Sequence, residues 1–248
     1  MRYAEIHFHL LPGVDDGPSS VEESIALAAA AAAEGTRMIV ATPHVHRQHV
    51  TDVSILPDRV HELRARLAAE RVRLQVLCGG ELAHDMVWRL SASELEMIAH
   101  GPPGRRWLLL EAPLSGLDDG YTAAADELRA RGFDIVVAHP ERALGLGDAW
   151  WPAIEHELAA GSALQINAWS VAGLYGERMR STALALLRRA PLAAVASDAH
   201  GGERMPALGL ALDALAASGF GHPRRFVDAA PQGLLARGVA GAARKVAA

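Results

Sequence analysis

Short apolar runs alternate along this chain with longer stretches in which apolar residues recur every three or four positions. The short runs predict strands at Tyr3–His7, Arg37–Ala41, Arg73–Gly79, Trp107–Glu111, Asp134–Ala138, Ala163–Asn167 and Ala193–Ser197. Several are continuous (MIVA, LLL, DIVVA, LAAVA), as expected of strands buried on both faces of a parallel sheet. The longer stretches predict helices. Val21–Glu34 is preceded by Ser19-Ser20, carries Glu22-Glu23 in its first turn and is closed by Gly35, the expected start and stop signals. Others are predicted over 57–70, 90–99, 122–131, 151–160, 179–189 and 206–218, with a last one near 223–236. Strand and helix alternate about seven times. That is a parallel α/β architecture, and the count favours an irregular barrel over a five-stranded open sheet.

In such folds the functional site lies at the carboxyl ends of the strands. Those ends carry His7-Phe8-His9 followed by Asp15-Asp16, then Thr42-Pro43-His44, Gly79-Gly80-Glu81, Glu111, His139-Pro140-Glu141-Arg142, Asn167, and Ser197-Asp198-Ala199-His200. Five histidines (His7, His9, His44, His139, His200) and four carboxylates (Asp16, Glu81, Glu111, Asp198) would therefore meet on one face. Taken singly, each piece reads equally as a turn or a buried salt-bridge partner. Taken together, they describe a metal site. Crowded carboxylates repel one another unless a cation intervenes, and nine ligands fit two or three ions. Imidazole and carboxylate without thiolate suit manganese, iron or zinc better than copper or an iron–sulfur cluster.

Composition adds boundaries. Half of the 248 residues are hydrophobic and only 5% are aromatic, so the core is expected to be aliphatic. Length and the absence of any linker-like stretch predict a single domain over 1–248. A net charge of −5 argues against a nucleic-acid binder that works by neutralising phosphates. The one cysteine, Cys78, forms no internal disulfide. The opening MRYAEIHFH places Glu5 and two histidines where a signal peptide needs an apolar run. The longest apolar stretch, Ile25 to Ala33, is half a membrane span. The expectation is a cytoplasmic protein with no membrane insertion and no nucleic-acid partner.

The motifs IHFHLLPGVDDGPSSVEESI, ATPH, GGE, AHPER, INAWS and SDAH, in this order from residue 3 to about 236, resemble the PHP (polymerase and histidinol phosphatase) superfamily. Within it they are most similar to the bacterial manganese-dependent protein-tyrosine phosphatases linked to capsule and exopolysaccharide synthesis. Glu5, Phe8 and Gly201 stand where that branch commonly has other residues. The resemblance implies a distorted (β/α)7 TIM-like barrel with up to three metal ions, Mn²⁺ first, with Fe, Zn or Mg as alternatives. By motif position it implies His7, His9, Glu81 and Asp198 around one ion. Glu81, Glu111 and His139 would hold a second, and Asp16, His44 and His200 a third. Arg142 of AHPER matches a phosphate-binding arginine, and Arg204 is the best match for another. The implied reaction is hydrolysis of phosphotyrosine in a protein, a bacterial tyrosine kinase tail, by a hydroxide held between metal ions. A small-metabolite phosphoesterase, such as one for histidinol phosphate, and a non-catalytic metal-binding regulatory module are the alternatives.

The remaining residues bound this reading. Six residues after Cys78 stands His84, so the Cys-x5-Arg loop of cysteine phosphatases is missing, and Cys78 reads as a small buried hydrophobe. Asp15 and Glu141 are expected either to orient histidines or to cap turns. His46 and His49 read as loop residues, and His61, His84, His100, His156 and His222 as surface residues. Arg64, Arg66, Arg71 and Arg73 read as a solvated helix edge. Trp150 and Trp151 read as core, and Trp169 as either core or a wall of the site.

Overall fold

The computed structural model describes residues 3–143 and 151–239. Its strands are β1 (Tyr3–Glu5), β2 (Thr36–Ala41), β3 (His44–Val45), β4 (Gln75–Cys78), β5 (Glu81–Leu82), β6 (Trp107–Glu111), β7 (Asp134–Ala138), β8 (Ala163–Asn167) and β9 (Ala193–Ala196). Its α-helices are α1 (Val21–Glu34), α2 (Leu56–Ala69), α3 (Ala92–Ile98), α4 (Asp119–Ala130), α5 (Trp151–Ala159), α6 (Ala168–Ala172), α7 (Glu177–Arg189), α8 (Leu208–Ala217) and α9 (Ala229–Arg237). Every ladder is parallel, in two sheets ordered β1-β2-β4 and β3-β5-β6-β7-β8-β9.

The two sheets are one distorted barrel. β2 and β3 are a single course broken at Thr42-Pro43, and β4 and β5 a single course broken at Gly79-Gly80. The breaks still pair: Gly79 N donates to Ala41 O at 2.9 Å and Glu81 N to Pro43 O at 3.0 Å. Glycine is required there, because a Cβ at Gly79 would sit 2.5 Å from Val40 and one at Gly80 would sit 2.7 Å from Val45. Between β9 and β1 no ladder forms. A lone bridge, Phe8 with Ala199, brings the two ends together. The seven predicted strands thus correspond to seven courses around the barrel.

The barrel interior has two tiers. Val40, Trp107, Leu109, Val136, Ala138, Ala163, Ala194 and Ala196 form its apolar lower tier, closed from below by Leu234 and Val239. Small alanines on β7, β8 and β9 make room for the Trp107 indole, whose Nε1 donates to Leu234 O at 2.9 Å. Alternation then dictates the upper tier. Residues two further along the same strands, Glu111 after Leu109 and Gln165 after Ala163, face the same interior, now with polar groups. The outward residues Leu108, Leu110, Ile135, Val137, Leu164, Ile166 and Val195 pack beneath the helices in the main core.

Helix ends follow local chemistry. The Ser20 hydroxyl accepts from Glu23 N, and Gly35 closes α1 at φ 111°. One predicted helix needs correction. The expected helix over 223–236 is a 3-10 turn, Pro223–Phe226, followed by α9; burial of Phe226 and Val227 breaks it. The strand predicted at Ala163–Asn167 is observed with those bounds, and the short α6 that follows it was not predicted: the Asn167 side chain accepts from Trp169 N and starts it. His100 is also not a surface residue. Its ring lies against Gly79 and tilts over Trp107 at 5.2 Å. The expected arginine edge is uneven, since the Arg64 guanidinium donates to Val76 O. Trp150 lies outside the described residues, and Trp151 is half-buried under the Arg189 guanidinium. No helix among the described residues is long and apolar enough to cross a membrane.

Candidate metal centre

All nine side chains named above as ligands converge at the carboxyl end of the barrel. They fall into four overlapping groups, each with ligand atoms within 4.8 Å of one another: His9, Asp16, His44 and His200; His7, His9 and Asp198; His7, Glu81 and His139; and His44, Glu81 and Glu111. Glu81 sits at the centre. Its Oε1 meets His139 Nε2 at 2.7 Å, and its Oε2 lies 3.3 Å from His7 Nε2 and 2.9 Å from His44 Nδ1. Asp198 Oδ1 lies 3.4 Å from the Nε2 atoms of both His7 and His9. Asp16 Oδ1, at the exposed rim, lies 3.4 Å from His44 Nε2 and 3.3 Å from His200 Nε2. By distance, His139 groups with His7, and Glu111 with His44, although motif position pairs His139 with Glu111.

The backbone contributes to this convergence. Among the described residues only three non-glycines have positive φ, and two are His139 (32°) and Asp198 (49°). Ala138 faces the interior, so a regular strand would send residue 139 outward. The left-handed turn at His139 brings its imidazole inward instead. Such backbone persists only where its surroundings hold it.

Further side chains aim the histidines. His7 Nδ1–H donates to Gln165 Oε1 at 2.9 Å, and His9 Nδ1–H donates to Asp15 Oδ2 at 2.6 Å. Each bond fixes the tautomer that leaves Nε2 free as a ligand. Asp15 therefore orients a histidine, and it also accepts from His44 N at 3.0 Å. Glu141 accepts from Asn167 N at 2.8 Å and, among the described residues, makes no hydrogen bond with a histidine. Gln165 also accepts from His139 N at 3.0 Å. Gln165 belongs to none of the motifs singled out above, and a glutamine inside the apolar strand ALQIN is its visible signal in the sequence.

Charge is poorly balanced by the protein alone. Burial, and then repulsion from Glu81, push the Glu111 carboxyl up to about 7. Burial would also raise Glu81 and Asp198, but the imidazoles of His7 and His139 hold both well below the ordinary carboxylate range. Glu81 Oε2 and His200 Nε2 are fully buried and lack a well-formed hydrogen bond. The Nε2 atoms of His7 and His9 face each other at 3.2 Å, where at most one can carry a proton. Lone pairs converging on one another, with carboxylates between them, fit divalent cations.

Two guanidiniums flank the group. Arg142 Nη1 and Arg204 Nη2 donate to Asp198 Oδ2 at 2.9 and 2.8 Å, and Asn167 Nδ2 donates to the same oxygen at 2.7 Å. Arg204 reaches it through a tight turn at Gly201 (φ 83°) and Gly202 (φ 57°), closed by Arg204 N to Gly201 O at 2.9 Å. The Arg142 guanidinium lies 5.4 Å from the centre of the Tyr175 ring, and Trp169 packs beside Tyr175 at 5.6 Å. Trp169 thus forms part of the wall on this side. Across the site, a cavity of about 310 Å³ opens beside Glu111, lined by His46, Ala83, His84, Asp85 and Pro113. The larger cavity beside α9, near Met38 and Leu77, shares no residue with the site.

A seven-course parallel barrel with this cluster at its carboxyl end defines a PHP-type protein. The chain belongs to the CpsB/CapC family of capsular polysaccharide synthesis, whose model matches residues 3–222. It is 31% identical over 205 residues to the tyrosine-protein phosphatase YwqE of Bacillus subtilis, covering 79% of this chain and 76% of that one. It is 28% identical over 211 residues to the tyrosine-protein phosphatase CpsB of Streptococcus pneumoniae, covering 82% and 84%. Among solved structures, a chain described under crystal structures of YwqE from Bacillus subtilis and CpsB from Streptococcus pneumoniae, unique metal-dependent tyrosine phosphatases, matches with a TM-score of 0.82 at 27% identity over 94% of this chain and 94% of that one. Histidinol phosphate phosphatase from Lactococcus lactis shares the fold, with a TM-score of 0.56 at 14% identity over 89% of this chain and 95% of that one.

Proposed function

We propose that this protein is a metal-dependent phosphatase that hydrolyses phosphotyrosine in proteins. The observation that carries the reading is two guanidiniums held on Asp198, at the edge of a group of imidazoles and carboxylates arranged to bind cations. Membership of the CpsB/CapC family and likeness to YwqE supply the substrate class.

In this reading His7, His9, Glu81 and Asp198 hold one ion, Glu81, Glu111 and His139 a second, and Asp16, His44 and His200 a third. We assign manganese, with iron, zinc and magnesium as competitors for the same donors. Bound ions supply positive charge for phosphate oxygens and bring the pKa of water toward neutrality, so no protein base is required. Arg142 and Arg204 bind the remaining phosphate oxygens. Each keeps donors beyond the one spent on Asp198, and Arg204 Nε is buried without a partner among the described residues. Tyr175, beneath Arg142, keeps that guanidinium plane in place. Asp15 and Gln165 hold protons on the Nδ1 atoms of His9 and His7 throughout. A tyrosine leaving group has a pKa of about 10, so it departs with less help from an acid than an alkyl alcohol needs.

We further propose that the whole chain is one catalytic domain, working in the cytoplasm on the phosphorylated tail of a cognate tyrosine kinase. A lone cysteine left as a free thiol suits a reducing compartment. The test is phosphate release from a phosphotyrosine peptide and from histidinol phosphate, each with Mn²⁺ and with chelator. Chelator-sensitive release, much faster from the peptide, is expected. Preference for the metabolite would move the protein to small-molecule chemistry. Release that survives complete metal removal would overturn the mechanism.

A further inference from the structure

The barrel closes between β1 and β9 without a ladder, and a buried carboxylate occupies that seam. Glu5, the last residue of β1, is fully buried and belongs to none of the four ligand groups. Its Oε2 accepts from Ser197 N at 2.7 Å and its Oε1 from Ser197 Oγ at 2.5 Å, across 192 positions of sequence. Ser197 Oγ accepts in turn from Ala207 N at 3.3 Å. The next residue is Asp198, whose backbone is left-handed at φ 49° and whose N–H donates to His7 O at 3.1 Å.

We infer that Glu5 is a positioning residue: through Ser197 it holds the strand end that delivers the Asp198 carboxylate to His7 and His9. The inference rests on the reading of Asp198 as a metal ligand. Its physical basis is hydrogen-bond accounting. The Ser197 N–H lies in the seam and makes no backbone hydrogen bond among the described residues, so it would be a buried orphan without Glu5. A left-handed aspartate keeps its conformation only while neighbouring residues are pinned. Glu5 pins the residue immediately before it with two bonds, and Ala207 extends the clamp to the segment that returns past Arg204. The same clamp therefore steadies the carboxylate on which both guanidiniums rest.

The test measures Mn²⁺ affinity by calorimetry, together with kcat and KM on a phosphotyrosine peptide, for Glu5→Ala, Ser197→Ala, the double variant and Glu5→Gln. Val60→Ala, a core change in α2, serves as a control that lowers Tm alone. Outer residues that orient ligands typically contribute about 10- to 100-fold in metal affinity, and a loss in that range is expected for Glu5→Ala. kcat should fall with it while KM holds. Glu5→Gln, which keeps the length and one acceptor, should recover most of the loss. Because the two residues act as one unit, the double variant should be no worse than Glu5→Ala by more than about twofold. Wild-type affinity and kcat in folded Glu5→Ala, a fall in Tm alone as in the control, or additive losses in the double variant would each overturn the inference. If Glu5→Ala does not fold, Ser197→Ala decides: a fall of about threefold supports the clamp, and unchanged affinity overturns it. A wild-type protein that binds no Mn²⁺ would instead sink the metal-centre reading, and this inference with it.

Discussion

His100 offers a sharp quantitative test, because its ring is buried where an imidazolium has no counter-charge. Its backbone exchanges two hydrogen bonds with Trp107, at 2.9 and 2.8 Å, which fix this stretch of main chain against β6. Its Nε2 is buried without a partner among the described residues, in van der Waals reach of Gly79. Burial, and then the nearby Arg106 guanidinium, push its pKa from 6.5 down to about 4. A histidine with a lowered folded pKa favours the fold while it is neutral. Its contribution is complete above about pH 6.5 and is lost as pH falls toward 4. At about 1.36 kcal/mol per tenfold, the full interval corresponds to roughly 3 kcal/mol, of which roughly 2 kcal/mol is spent between pH 7 and 5. His100→Leu removes this titration and leaves every other group in place. Urea unfolding of both proteins at pH 7, 6 and 5, in one buffer series, should show the wild type losing roughly 2 kcal/mol more than the variant. The difference in slope is the readout, so any constant change in stability from lost packing against Trp107 cancels. Parallel stability curves, or an NMR titration placing His100 near its ordinary pKa, would refute the argument.

Other expectations follow from the site. His139→Ala should abolish phosphate release, because it removes the imidazole bonded to Glu81 Oε1; residual turnover above about a hundredth of wild type, in steady-state assays, would count against its role. Cys78→Ser should leave turnover unchanged, since burial pushes the Cys78 thiol up to about 11 and no arginine loop surrounds it. Loss of activity in a folded Cys78→Ser protein would count against the metal mechanism. Arg142→Lys should cost at least about tenfold in kcat/KM, as a point charge replaces a planar fork. Chelation should lower Tm, and Mn²⁺ added back should restore it in proportion to the logarithm of its concentration.

The sequence disclosed more of the site than of the scaffold that orients it. The nine candidate ligands were legible because they lie at or soon after the ends of the predicted strands, and parallel strands deliver their ends to one face. Gln165 and Asn167 sit on β8 among apolar neighbours, and their partners His7 and Asp198 are remote in sequence, so only the closed barrel reveals what they hold. Glu5 was visible only as an unusual residue two before His7. His100 was misplaced because its burial comes from a bridge to Trp107 across a turn, which leaves no periodic trace. The break before α9 was hidden for a similar reason: apolar spacing continues through Val227, while the chain turns there to bury it.

The seam between β1 and β9 also bears on how the protein is made. His7 and His9 leave the ribosome well before Asp198 and His200. No partial chain lacking the ninth strand can assemble the ligand group, and until then the β1 edge stays open. Partly built barrels with open edges invite wrong pairings. The joining of first and last strands is thus the moment at which the binding site first exists. A nascent chain cannot capture metal in this arrangement before Asp198 and His200 have emerged.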